Sequence, residues 1–181
     1  MTPLMRRRVL FAAPFAVAGA AGMGAFAMLR RMPDGQFDPH AVDAPVLGRM
    51  VPDFALPALP PGPGFDAAAL RAQPRPVLVN VFASWCVPCV EEAEALLALS
   101  THLPVWGIAY KDPDAAATDF VRRTGDPYAR LVADRDGLAA IDWGVSGVPE
   151  SFLVAPGGRI VWHKAGGLTA ADVERLARGQ G

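Results

Sequence analysis

The chain has 181 residues, 17 basic and 18 acidic side chains, 52% hydrophobic residues and two cysteines, a length that allows one domain with a sizeable core plus an appendage. Two cysteines cannot staple a scaffold, which excludes the disulfide-rich secreted class. The net charge of −1 hides an asymmetry: Arg6, Arg7, Arg8, Arg30 and Arg31 all precede the first acid, Asp34, leaving 12 bases against 18 acids from Met32 onward, a balance of −6 that excludes a nucleic-acid footprint.

Residues 9–29 carry no charge, and 17 of these 21 are apolar. As a helix the segment extends about 32 Å at about 1.5 Å per residue, enough to span a bilayer core of about 30 Å. Three arginines before it and two after it favour a cytoplasmic N-terminus by the positive-inside rule. The expected organisation is a cytoplasmic stretch over 1–8, a transmembrane anchor over 9–29, a linker over 30–50 and a folded domain over 51–181. A removed export signal also fits, because Ala18-Gly19-Ala20 and Ala25-Phe26-Ala27 are A-x-A-like cleavage sites and Arg7-Arg8 resembles a twin-arginine signal. Either reading exports the domain.

Ten prolines between Met32 and Pro76 mark a tether and an irregular approach to the domain, with a short first strand expected over Asp53 to Leu56. The pattern then becomes regular. Val77 to Ala83 reads as a buried strand, Cys86 to about Ser100 as a helix, Val105 to Tyr110 as a strand, Pro113 to about Arg123 as a helix and Arg130 to Ala133 as a third strand. A helical turn over Leu138 to Asp142 leads into Gly-Val-Ser-Gly-Val-Pro. Glu150 to Val154 and Arg159 to His163 are strands joined by the hairpin signal Pro156-Gly157-Gly158, and Thr169 caps a last helix with Asp172 three residues on. Strand-helix alternation ending in a hairpin and a helix predicts a three-layer α/β domain with a mixed sheet.

Cys86-Val87-Pro88-Cys89 follows an apolar strand and opens a helix, the context in which C-x-x-C reads as a redox pair. Two intervening residues let the sulfurs meet across the first turn, where free N–H groups and positive potential stabilise a thiolate. Cys86, at the exposed end, is the expected nucleophile, and Cys89 the resolving thiol. Pro88 lacks an N–H where that donor is spare. A purely structural bridge across so small a loop would contribute only about 2 kcal/mol. A zinc site would need two further ligands, and His40, His102 and His163 do not supply the usual spacing, so no metal is expected.

The run Val79-Asn80-Val81-Phe82-Ala83-Ser84-Trp85-Cys86-Val87-Pro88-Cys89 resembles a thioredoxin-fold active site. Gly144-Val145-Ser146-Gly147-Val148-Pro149-Glu150-Ser151-Phe152 resembles the GVxGxPE[TS]F signature of the DsbE/CcmG family, the membrane-anchored thioredoxin-like reductases of cytochrome c biogenesis. Gly107 to Asp112 and Pro52-Asp53-Phe54 also fit, and the resemblance runs from about Val51 to Leu176. It implies a thioredoxin-like α/β/α domain behind an N-terminal transmembrane helix, on the periplasmic side of a bacterial inner membrane. The implied activity is thiol:disulfide oxidoreduction without a dissociable cofactor. The implied partners are apocytochrome c or a CcmH-like thiol protein, with recharging by a membrane thiol relay of the DsbD/CcdA type. A general exported thioredoxin-like reductase is the alternative. A copper-delivery protein of the same fold would pair C-x-x-x-C with a distal histidine, a pattern this chain lacks.

By the same resemblance Cys86 and Cys89 are the redox pair, and Pro149 is the proline that is cis and faces the disulfide. Gly147 and Val148 would offer backbone to an extended substrate peptide, and Trp85 would border the nucleophile. Glu92 matches an active-site glutamate and Glu150 the glutamate of the signature loop, as candidates for acid-base function or for an acidic surface, and a negative charge near a thiolate raises its pKa. Asn80 stands where thioredoxins carry a proton-accepting aspartate, and an amide cannot take that proton. Ser146 replaces a frequent tyrosine, while Val90, Ala93 and Glu94 replace basic, His and Pro residues. Without that proline the first helix is expected to run straight.

Overall fold

The computed structural model describes residues 22, 23, 26, 46–60 and 62–179. The chain divides into a unit Met1–Val42, of which only Gly22, Met23 and Phe26 are described, all helical, and a unit Asp43–Gly181. The predicted anchor otherwise lies outside the described residues. Among the described residues no helix is long and apolar enough to cross a membrane.

The second unit is built on a five-stranded sheet, β1 Val77–Phe82, β2 Val105–Tyr110, β3 Arg130–Asp134, β4 Glu150–Val154 and β5 Ile160–Ala165, in the order β3-β2-β1-β4-β5. The first three strands are mutually parallel, and β4 and β5 form an antiparallel hairpin beside β1. The sheet is therefore mixed, as expected. β1 lies at its centre with all six residues buried, which is why its sequence is a continuous apolar run broken only by Asn80.

Successive side chains of β1 point to opposite faces. Val77, Val79 and Val81 join Trp106, Ile108, Val132, Trp143 and Phe152 in one core, together with Val51, Phe65 and Leu70 from the lead-in segment. Helix α1, Ala67–Arg71, capped by the Asp66 side chain, lies in that segment and α5, Leu138–Asp142, immediately precedes Trp143. On the opposite face Phe82 and Ala109 pack with both cysteines and with Ala117, Phe120 and Val121 of α4, Asp114–Thr124. Leu78 packs there with Leu96 and Leu99 of α3, Ala93–Ser100, and with Leu176 of α6, Ala170–Ala177. The result is the expected α/β/α sandwich. Thr169 and Asp172 form the predicted reciprocal cap of α6.

Two expectations are corrected. Asp53 to Leu56 makes no strand, because Pro52 and Pro57 bracket it and only Ala55 pairs, with Asp66. Instead the lead-in straps across the sheet, pairing Met50 with Arg159 beside β5 and Ala58 with Val132 on β3. The packed domain also reaches into the predicted linker, since Val46 is buried in the core and Gly48 N–H donates to Ile160 O. The helix expected from Cys86 to about Ser100 is divided at Glu92 into α2, Val87–Glu91, and α3, while Glu92 N–H still donates to Pro88 O and Leu96 N–H to Glu92 O across the join.

Candidate active site

The site forms where β1 ends. Ala83 to Trp85 leave the strand, and Cys86 enters α2 in extended conformation as its N-cap, its Sγ accepting from Cys89 N–H at 3.2 Å. Cys86 and Cys89 form a disulfide with their Cα atoms 5.3 Å apart. Cys86 is only 4% exposed and Cys89 2%. The expected difference in exposure between them is thus small in the oxidised protein. The apolar rim is what reaches solvent, with Trp85 58% exposed beside exposed Val87 and Val90.

Asp112, a buried residue to which sequence reasoning assigned no role, holds this turn. Its carboxylate accepts from both the Ser84 backbone N–H and the Ser84 hydroxyl, the latter at 2.8 Å. The Trp85 indole donates to Lys111 O at 3.3 Å. The β2–α4 turn therefore clamps the approach to Cys86. No sequence periodicity signals such a contact across 28 residues.

The Gly144-to-Pro149 loop reaches the packed cluster around the cysteines through Val148. Val148–Pro149 is cis, and Val148 packs against the cluster containing both cysteines. Glu150 is buried at the start of β4. One of its carboxylate oxygens accepts from Ser146 N–H at 2.8 Å, Ser146 Oγ–H at 3.2 Å and Gly147 N–H at 3.3 Å, while the other contacts His163 Nε2. Its contacts are therefore those of an anchor for the loop.

Glu92 lies on the redox helix instead, as the C-cap of α2. It lies one turn after Cys89 on the same buried face, 2% exposed, at the join between α2 and α3. Its Oε1 accepts from Asn80 Nδ2 at 2.9 Å and its Oε2 from Leu168 N–H at 3.0 Å. Burial pushes the carboxyl up from 4.5 to about 7, against the hydrogen bonds from Asn80 and Leu168 and the charge of Lys164. A group that titrates near neutrality one turn from a thiol is suited to exchanging a proton with it. Asn80 also donates to Ser151 Oγ at 3.0 Å and accepts from the Tyr128 hydroxyl at 2.7 Å. Among the described residues no cluster of three or more His, Cys, Asp or Glu side chains could hold a metal ion.

Residues 47–177 match the Redoxin family. The chain is 42% identical over 155 residues to a thiol:disulfide interchange protein DsbE homologue of Paracoccus denitrificans, covering 86% of this chain and 83% of that protein. It is 37% identical to the thiol:disulfide interchange protein HelX of Rhodobacter capsulatus, over 91% of this chain and 90% of that one. It is 36% identical to DsbE of Escherichia coli K12, over 91% and 88%. Among solved structures, a DsbE-type thiol:disulfide interchange protein of Chlorobium tepidum superposes with a TM-score of 0.62 at 24% identity, over 73% of this chain and 93% of that one, which shows the shared thioredoxin-like fold.

Proposed function

The chain belongs to the Redoxin family and, within it, to the DsbE-type thiol:disulfide interchange proteins, and on that premise we propose that it works as the reductase of a cytochrome c maturation system. The protein is a thiol:disulfide oxidoreductase whose redox centre is Cys86–Cys89. Its reductive direction, its cytochrome substrates and its place at the membrane are the proposed part. The single observation that carries the redox role is the Cys86–Cys89 disulfide at the N-terminus of α2, next to the exposed Trp85 and in one packed cluster with Val148.

In the reduced enzyme the Cys86 thiolate attacks one sulfur of a partner disulfide, forming a mixed disulfide and releasing the other partner sulfur as a thiolate. Cys89 S–H then passes its proton to the Glu92 carboxylate and attacks Cys86 Sγ. The enzyme disulfide forms, the mixed disulfide breaks, and the second partner sulfur leaves and is protonated. Two electrons move from the cysteine pair to the partner. Gly147 and Val148 present backbone to an extended partner segment, Glu150 holds that loop as a positioning residue, and Trp85 supplies an apolar margin.

The partner disulfide is the haem-attachment pair of apocytochrome c, met directly or through a CcmH-like thiol protein, and a DsbD/CcdA-type membrane relay returns the electrons. The signature loop Gly144 to Phe152 supports this reading, and the apolar arginine-flanked segment 9–29 supports a single-pass anchor with the domain in the periplasm. Trapping tests it. A Cys89→Ser variant should accumulate a mixed disulfide through Cys86 with a cytochrome c maturation protein; adducts confined to unrelated exported proteins would refute the cytochrome role and favour a general reductase.

A further inference from the structure

We infer that Tyr128 and Asn80 are positioning residues for the resolving half-reaction: the Tyr128 hydroxyl fixes the Asn80 amide so that its NH2 group faces the Glu92 carboxyl. This rests on the reading of Glu92 as the proton acceptor for Cys89 and deepens it.

Asn80 is fully buried at the middle of the central strand, opposite Gly107 on β2 and Ser151 on β4. Its amide has two orientations of nearly the same shape, which exchange a donor for an acceptor at each end. With Oδ1 toward Tyr128 and Nδ2 toward Glu92, all three contacts pair a donor with an acceptor: Tyr128 O–H to Oδ1 at 2.7 Å, Nδ2 to Glu92 Oε1 at 2.9 Å and Nδ2 to Ser151 Oγ at 3.0 Å. Turning the amide over would place a carbonyl oxygen against the Glu92 carboxylate, and the Tyr128 hydroxyl, turned to accept from the NH2 group, would keep no acceptor for its own proton among the described residues. The Ser151 hydroxyl can donate or accept and so accepts either orientation. Tyr128 and an ionised Glu92 choose the observed one.

Tyr128 is itself held for this task. Its ring stacks on Phe82 with centroids 5.0 Å apart and planes within 13°. A Cβ at position 107 would fall 2.8 Å from its Cδ1, so only glycine there lets the ring lie close over β2 and reach across to β1. Burial, then the charges of Glu92 and Asp126, keep the phenol well above its ordinary range, so it remains an O–H donor.

A hydrogen bond donated to the ionised form favours that form. The lock therefore restrains the rise that burial imposes on Glu92 and keeps it an acceptor at neutral pH. The charged and titratable groups around Glu92 are Lys164 on β5, Tyr128 before β3 and the cysteines of α2, with Asp172 of α6 paired to Lys164.

The test follows the Glu92 carboxyl by carbon-13 NMR in the full-length reduced protein. In parallel, stopped flow follows Cys89 attack on a thionitrobenzoate adduct of Cys86, which releases the coloured thiolate. Tyr128→Phe should raise the Glu92 inflection by about one pH unit and move the rate profile with it. Asn80→Asp, which sets a second carboxylate beside the first, should raise it further, and Ser151→Ala should leave it in place. An inflection unmoved in a folded Tyr128→Phe protein overturns the inference. Should that variant not fold, an unmoved inflection in Asn80→Asp overturns it. A Glu92→Gln profile identical to wild type refutes instead the role of Glu92 as acceptor, and the carboxyl titration still decides the orientation of Asn80 separately.

Discussion

Removing the titration of Glu92 should change how stability depends on pH, in a direction the structure fixes. Burial raises its carboxyl from 4.5 to about 7 in the folded protein. Between those values the native state holds a proton that the unfolded chain has lost, so the contribution is fully present below pH 4.5 and is lost as pH rises through 7. Two and a half pH units at about 1.4 kcal/mol each amount to about 3–4 kcal/mol. Glu92→Gln provides the reference without titration. Its amide offers one acceptor where Asn80 and Leu168 both donate, which costs about 1–2 kcal/mol at every pH and shifts the comparison without bending it. Urea unfolding of the oxidised proteins from pH 4 to pH 8.5 should show the wild type losing about 3–4 kcal/mol relative to Glu92→Gln as pH rises. A difference that stays flat across the window, or that grows in favour of the wild type at alkaline pH, would refute the reasoning.

Two further outcomes follow from the loops around the disulfide. Asp112→Ala removes both acceptors of Ser84 and leaves a backbone N–H unanswered, so equilibrium unfolding should show a loss of about 2–4 kcal/mol; a loss below about 0.5 kcal/mol would mean that water replaces the carboxylate. Glu150→Ala frees Ser146 and Gly147, and steady-state reduction of a disulfide peptide should show KM raised about tenfold with kcat less affected, whereas an unchanged KM would show that the loop keeps its shape without its anchor.

The strands and the redox helix were legible because their signals are local. Val77 to Phe82 is apolar without interruption save Asn80, the hairpin turns on Pro156-Gly157-Gly158, and Thr169 with Asp172 announces its own cap. Helix α1 carried too few residues to show a period, and proline on both sides of residues 53–56 left the lead-in to be shaped by the sheet edges it crosses. The polar contacts of the site were illegible for another reason. Asn80 meets Tyr128 across 48 residues and Leu168 meets Glu92 across 76, and nothing in the intervening sequence encodes either distance.

The two glutamates that sequence reasoning placed together as acid-base candidates are separated by what donates to them. Glu150 gathers three donors from the loop on one oxygen and His163 on the other, so its carboxylate is used up in fixing backbone. Glu92 has a single donor on each oxygen, which leaves burial the larger influence and holds the group near neutrality. Glu92 stays in right-handed helical conformation, φ −82° and ψ −8°, at the join of α2 and α3, and its side chain spans from Asn80 on β1 to the backbone before α6. A glutamate on the solvent face of the helix would have cost nothing in desolvation, but its carboxyl would titrate with ordinary acids and be too weak a base for a thiol at neutral pH. On the role proposed for Glu92, the cost of burying it and the basicity it offers Cys89 are therefore the same free energy.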